Sequence, residues 1–239
     1  MHILVLQHHP AEHAGEFRHL LAEDGHQTTT VHLDQGQSLP THQDFDALWV
    51  LGGPMDVWQE EDYPWLIEEK AFIRTAVEEK GLPYFGLCLG HQLLADALGG
   101  SVGPGEPEIG VCQVQQTEAG ATGILLDDLP EIFPALQWHS AEVKTLPPGA
   151  QVLATSTPCA VQAMQWGPRA SSLQFHLEVE DDTVDVWASI DAYATALDAA
   201  LGKEGVSVLR EACATEMVNF HKMTERVYIN WLQTAASAR

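Results

Sequence analysis

A single cysteine, Cys88, stands inside "YFGLCLGHQLLADALGG", residues 84–100 of a 239-residue chain. Gly86 lies two residues before it and Gly90 two residues after it. An apolar run precedes this turn and a helix-like run follows it. A nucleophile must meet its substrate without its own backbone in the way, and a tight strand-to-helix turn with the nucleophile at the apex provides that. Side chains at the two flanking positions would collide, so glycine is used there. The following helix points unpaired N–H groups toward the thiol, which favours the thiolate. The N–H of Leu89 is placed to hold an oxyanion. Alone, such a turn also describes a buried structural cysteine, so the reading depends on partners elsewhere in the chain.

The stretch "SSLQFHLEVE" offers His176 and Glu178. In a strand, residues two apart share a side. The carboxylate would then hold the imidazole in one tautomer, while the ring takes the thiol proton and later protonates a leaving amine. Glu180 would lie on the same face and is an alternative orienting group. A third piece, "WVLGGPM", ends a strand at Gly52, Gly53 and Pro54, on the edge where a parallel sheet collects its ligands. The N–H of Gly53 is a candidate second oxyanion donor.

These three pieces need a scaffold that brings them together. "HILVL", "TTTVHL", "ALWVLGG" and "LPYFGL" read as strands, separated by helical patterns over residues 11–23 and 65–80 and followed by one over residues 90–98. The alternation predicts an α/β fold with a mostly parallel central sheet and helices on both faces. From Ser101 onward, short β-prone pieces punctuated by glycine and proline predict antiparallel additions. From Thr183 helical patterning dominates, with Leu209, Cys213, Met217 and Phe220 on one face. The expected organisation is one unit over residues 1–181 and a helical C-terminal extension, residues 182–239, packed on the same domain. "MTERVYINWLQ" would be uncomfortable exposed; it completes the core, forms a dimer contact or docks a partner.

Composition narrows the partners. The formal net charge is −23, from 34 acidic and 11 basic residues, which argues against nucleic acid or an anionic membrane surface. No apolar run reaches spanning length, and the first residues lack the pattern of a secretion signal. Four cysteines without a CxxC pair read as free thiols. A cytoplasmic protein is expected. There are 12 histidines, including His8, His9, His13 and His19, but no zinc-type spacing such as HExxH, so no metal is expected. No cofactor is expected either: the phosphate loop GxxxxGK[ST] is missing.

With GLCLGHQ, the GGP turn and the late HxE in this order, the chain resembles the class I glutamine amidotransferases, and most closely the glutaminase domain of GMP synthase and its stand-alone relatives. The resemblance covers residues 1–180. It implies hydrolysis of the side-chain amide of glutamine through a cysteine thioester, with release of ammonia. Cys88 would be the nucleophile, His176 the base oriented by Glu178, and the N–H groups of Gly53 and Leu89 the oxyanion hole. Gln92 and Ser140 would bind the substrate's amino-acid end, Ser140 within the family segment matched by Trp138, His139 and Ser140. His139 itself reads as structural or as part of the rim. Two departures stand out. Leu177 replaces the family's frequent proline between His176 and Glu178, and Met55 and Asp56 follow the GGP turn where many relatives carry small polar or acidic residues. The second change touches the substrate rim. The family usually hands ammonia to a synthase, which here would be a separate subunit. Stand-alone relatives include γ-glutamyl peptide hydrolases, so a stand-alone γ-glutamyl peptide or amide hydrolase is the second reading, and a catalytically silent binding module of the same fold is a third. A homo-oligomer is compatible with all three.

Overall fold

The computed structural model describes residues 1–236. Nine strands form one sheet: β1 (His2–Gln7), β2 (Gln27–His32), β3 (Ala47–Val50), β4 (Tyr84–Leu87), β5 (Ser101–Gln116), β6 (Ile132–Thr145), β7 (Ala150–Thr155), β8 (Ala163–Trp166) and β9 (Ala170–Leu173). Their spatial order is β2-β1-β3-β4-β9-β8-β7-β5-β6. The pairings from β2 through β9 are parallel. Those from β9 through β6 are antiparallel. The fold is thus α/β, with a parallel half that carries the site and antiparallel additions beside it.

Among the described residues seven α-helices accompany the sheet: α1 (Phe17–Glu23), α2 (Trp65–Arg74), α3 (Leu89–Ala97), α4 (Glu118–Thr122), α5 (Thr183–Trp187), α6 (Asp191–Leu201) and α7 (Gly205–Ala236). The period-2 alternation of the strands explains the two layers. Ile3, Val5, Trp49 and Phe85 join Phe17 of α1 and Leu209, Phe220 and Trp231 of α7 in one apolar cluster. Leu4, Leu6, Leu48 and Val50 join Leu66 and Ile73 of α2 and Leu93 and Leu94 of α3 in the other. No helix among the described residues is long and apolar enough to cross a membrane.

Of the three roles open to the C-terminal segment, the structure shows the first. Trp231 is fully buried and meets Trp49 edge-on, ring centroids 5.0 Å apart. Thr224 donates to the carbonyl of Leu177 at 2.7 Å, between His176 and Glu178 in sequence. The helix therefore braces the segment that carries the imidazole. Trp231→Ala should cost about 3–5 kcal/mol, read as a lowered denaturant midpoint at unchanged slope.

Several local expectations need correction. The helix expected over residues 11–23 begins only at Phe17, because Gly15 takes a left-handed φ of +47° that no helix accommodates. The helix expected over residues 65–80 ends in a π-helical turn, Thr75–Glu79. His176 and Glu178 do not lie in a continuous strand: β9 stops at Leu173. His176 instead makes an isolated bridge to Leu136, with backbone bonds of 2.9 and 3.0 Å.

Candidate active site

Cys88 sits between β4 and α3 with φ 50° and ψ −101°. Among the described residues only Cys88 and Asp128 have positive φ without being glycine. A non-glycine residue held there stores about 1–3 kcal/mol of strain. The neighbouring sterics are as tight as the sequence implies. A Cβ on Gly86 would come within 2.7 Å of the Gly90 backbone, and one on Gly90 within 2.0 Å of the Val50 carbonyl oxygen. The elbow packs directly onto β3, which leads into the GGP turn.

That turn is pinned from below. His8 is fully enclosed and bonds the Gly52 carbonyl through Nδ1 at 2.9 Å and Glu69 through Nε2 at 2.8 Å. Both partners accept, so both ring nitrogens donate. Burial works against the charged ring, but Glu69 outweighs it and raises the His8 pKa. Among the described residues, the N–H groups of Gly53 and Leu89 have no partner in the chain, and both residues line one cleft with Cys88. Two free donors beside a thiol are what an oxyanion requires.

His176 is brought to the same thiol. Its Nδ1 lies 2.5 Å from Glu178 Oε1, and Cys88 is near enough to act on the charge of the ring. Glu178 Oε2 also accepts the N–H of Leu177 at 3.0 Å, which fixes the carboxylate. Burial opposes the imidazolium, yet Glu178 and Cys88 together hold the His176 pKa well above its usual value. The middle residue of the motif, Leu177, is buried in the core. Glu180 is no substitute for Glu178. It turns outward, accepting from Arg18 at 2.8 and 2.9 Å and lying 3.0 Å from His19 Nε2.

Burial pushes the thiols of Cys159 and Cys213 up to about 12, so they stay protonated at neutral pH.

The family model for class I glutamine amidotransferases matches residues 13–186. The chain belongs to the class I glutamine amidotransferases. It is 29% identical over 233 residues to the glutamine amidotransferase-like protein YfeJ of Salmonella typhimurium, covering 95% of each chain. It is 31% identical over 172 residues to a subunit of the glutamine-hydrolyzing GMP synthase of Sulfolobus acidocaldarius, covering 70% of this chain and 86% of that one. The crystal structure of a glutamine amidotransferase from Thermotoga maritima superposes with a TM-score of 0.86 at 27% identity, covering 99% of both chains.

Within this amidotransferase fold the residues expected on the substrate side fall as follows. Gln92 and Ser140 line the cleft with Cys88. The Gln92 amide donates to the Ala141 carbonyl at 3.2 Å and to Gln174 Oε1 at 3.0 Å. Gln174 in turn donates to Cys88 Sγ at 3.5 Å. His139 is buried beside Glu108, not beside the thiol's base.

Sequence reasoning missed four groups around the site. Gln174 touches the nucleophile and lay two residues before His176 in the same motif. Trp187 of α5 meets the His176 ring edge-on, centroids 4.6 Å apart, and donates its indole N–H to the Ala11 carbonyl at 3.1 Å. Tyr193 of α6 lines the cleft and donates a short hydrogen bond to Glu12. Glu12 is buried against Gly52, and burial raises its pKa despite His176 and Tyr193. None of the last three carries a local motif. Their only signal was a polar or aromatic residue in an apolar neighbourhood.

Glu178→Gln should expose the electrostatics of the pair. Glu178 raises the His176 pKa, so removing its charge lowers it. The alkaline limb of the kcat/KM profile, where the imidazolium is lost, should move to lower pH by about one unit or more. Its loss of activity should be smaller than that of a variant lacking Cys88, because orientation rather than the nucleophile is removed. An unmoved alkaline limb would contradict the pairing.

Proposed function

We propose that the protein is a cysteine amidohydrolase of the glutaminase type, cleaving the γ-amide of glutamine. Residues 1–181 hold the nucleophile and its base, and the described part of the C-terminal extension, residues 182–236, braces them and closes one side of the cleft. The Cys88 thiolate attacks the amide carbon. The carbonyl oxygen becomes an oxyanion held by the N–H groups of Gly53 and Leu89. His176, kept protonated by Glu178, gives its proton to the departing nitrogen, and ammonia leaves. The thioester on Cys88 is then attacked by water, whose proton the now neutral His176 accepts. Collapse of the second oxyanion releases glutamate and regenerates the thiolate and imidazolium. Gln92 and Ser140 hold the amino-acid end of the substrate.

The observation that supports this reading most strongly is the strained Cys88 backbone, φ 50°, in a site that also holds the buried His176–Glu178 pair. Strain of that kind persists where surrounding structure enforces it, characteristically at reacting centres. A silent module would gain by relaxing it.

A second reading shares the chemistry and changes the leaving amine. The cleft of about 310 Å³ is bordered by Met55, Asp56 and Gln59 on one side and by Ala192, Tyr193 and Ala196 of α6 on another. These walls would accommodate a substituted amine or a peptide beyond the reacting bond. Similarity to a protein named as part of a GMP synthase favours ammonia delivery to a separate synthase. A panel of glutamine, γ-glutamyl amides and γ-glutamyl dipeptides, scored for amine release, separates the two. Highest kcat/KM with glutamine supports the donor role, preference for a dipeptide supports the hydrolase, and no turnover of any member refutes both.

A further inference from the structure

A second set of donors lies behind the cleft wall formed by residues 138–141 and takes no part in the reaction above. Glu108 of β5, His139 of β6 and Cys159, between β7 and β8, place a carboxylate oxygen, an imidazole nitrogen and a sulfur within 4.8 Å of one another. All three residues are buried.

The tautomer of His139 makes this cluster unusual. Its Nδ1 lies 3.0 Å from the Ala141 carbonyl, which can only accept, so Nδ1 carries a proton. Its Nε2 lies 3.3 Å from Glu108 Oε2 yet has no hydrogen-bond partner, and it is shut off from solvent. A buried ring nitrogen left without a hydrogen bond, beside a carboxylate and a thiol, calls for a partner that the described residues do not supply. Glu142, on the same strand as His139, also has its Oε2 buried without a hydrogen-bond partner, while its Oε1 accepts from Lys144 Nζ.

The surroundings match those of ligands prepared for a metal. A ligating histidine characteristically donates its other N–H to a backbone carbonyl, and a ligating carboxylate is itself hydrogen-bonded. Here Ala141 plays the first part. Ser156 Oγ donates to the Glu108 carboxylate, lying 2.9 and 3.0 Å from its two oxygens, and Gln162 Nε2 donates to it at 2.7 Å.

We propose that Glu108, His139 and Cys159 form a Zn²⁺ site separate from the catalytic centre, with a water as the fourth ligand. One nitrogen, one sulfur and one carboxylate oxygen, completed by a water, suit tetrahedral zinc. On binding, the Cys159 S–H bond breaks, its proton leaves to solvent, and the sulfur pair forms the Zn–S bond; no electron transfer is involved. His139 lines the cleft, which gives the ion a route inward. The metal would tie β5, β6 and the loop holding Cys159 together directly behind Ser140 and the carbonyl that positions Gln92.

The test uses the Cys88→Ala protein, so that the Cys88 and His176 pair binds nothing. It is stripped with a chelator, and Zn²⁺ is titrated in competition with a chromophoric chelator while bound metal is counted by mass spectrometry. About one zinc per chain is expected. Adding Cys159→Ser or Glu108→Gln should weaken binding about 100-fold or more, since loss of an outer partner alone costs 10–100-fold. Adding Cys112→Ser should leave binding unchanged. With Co²⁺ the parent should show a thiolate charge-transfer band that Cys159→Ser lacks. Equal zinc uptake by parent and Cys159→Ser, or a cobalt spectrum without that band, overturns the site. Should Cys159→Ser not fold, Glu108→Gln and the cobalt spectrum of the parent decide the same question.

Discussion

Cys88→Ala should fold as the parent does and release ammonia or amine at least about 10⁴-fold more slowly, the scale lost when a triad nucleophile is removed. The thiol contributes the bond-forming electron pair, and no other cysteine replaces it. Cys159 and Cys213 are buried and held as neutral thiols, and neither lines the cleft. The backbone strain at the elbow adds a second readout. Alanine at φ 50° keeps the strain, whereas glycine relieves it. The relief, about 1–3 kcal/mol, exceeds the extra unfolded-chain entropy of glycine, about 0.4–1 kcal/mol. Cys88→Gly should therefore be as inactive as Cys88→Ala but more stable, by roughly 1 kcal/mol. Turnover by either variant at the parental rate would remove the nucleophile from the mechanism, and equal stability of the two would remove the strain.

His176→Asn should slow both formation and breakdown of the thioester, each by about 10²–10⁴-fold, the range of general acid–base catalysis. The ring serves in both half-reactions: it protonates the departing nitrogen and then deprotonates water. Rapid mixing with a chromogenic γ-glutamyl amide measures the first step as a burst and the second as the steady rate. Asparagine keeps polarity but neither exchanges a proton nor pairs with Glu178 as an imidazolium. The effects of Cys88→Ala and His176→Asn should not add, because the two act as a unit. A burst of parental rate and amplitude would exclude His176 as the proton donor.

The elbow was legible because sterics dictate its residue types. A cramped apex tolerates only glycine at the positions of Gly86 and Gly90, and the Cβ distances of 2.7 and 2.0 Å express that requirement. The parallel half of the sheet was legible for a similar reason, since alternation along "HILVL" and "ALWV" assigns each residue to a layer. The pairing of His176 with Glu178 was legible from spacing, but not the backbone that delivers it. Spacing of two describes any extended chain, whether or not a ladder continues, and here β9 ends before the motif. Glu180 failed as an alternative because alternation stops where the strand does, and Arg18 and His19 then draw its carboxylate outward.

What remained hidden is held together by long-range contacts. Glu12 and Tyr193 are 181 residues apart and meet only through the tertiary fold. The periodicity of residues 11–23 concealed the loop that delivers Glu12, since a single left-handed glycine overrides an otherwise helical pattern. Trp187 and Tyr193 belong to a segment whose apolar stripes spoke only of packing. That segment packs, and it also supplies one wall of the cleft.

Covalent capture tests the convergence of these groups most directly. The protein is incubated with a glutamine analogue carrying an electrophilic ketone in place of the side-chain amide, digested, and analysed by peptide mass spectrometry. The geometry predicts a single adduct on Cys88, formed rapidly in the parent, slowly in His176→Asn, and suppressed by the preferred substrate. An adduct on Cys112, Cys159 or Cys213 instead, or equal labelling of Cys88 with and without His176, would contradict it.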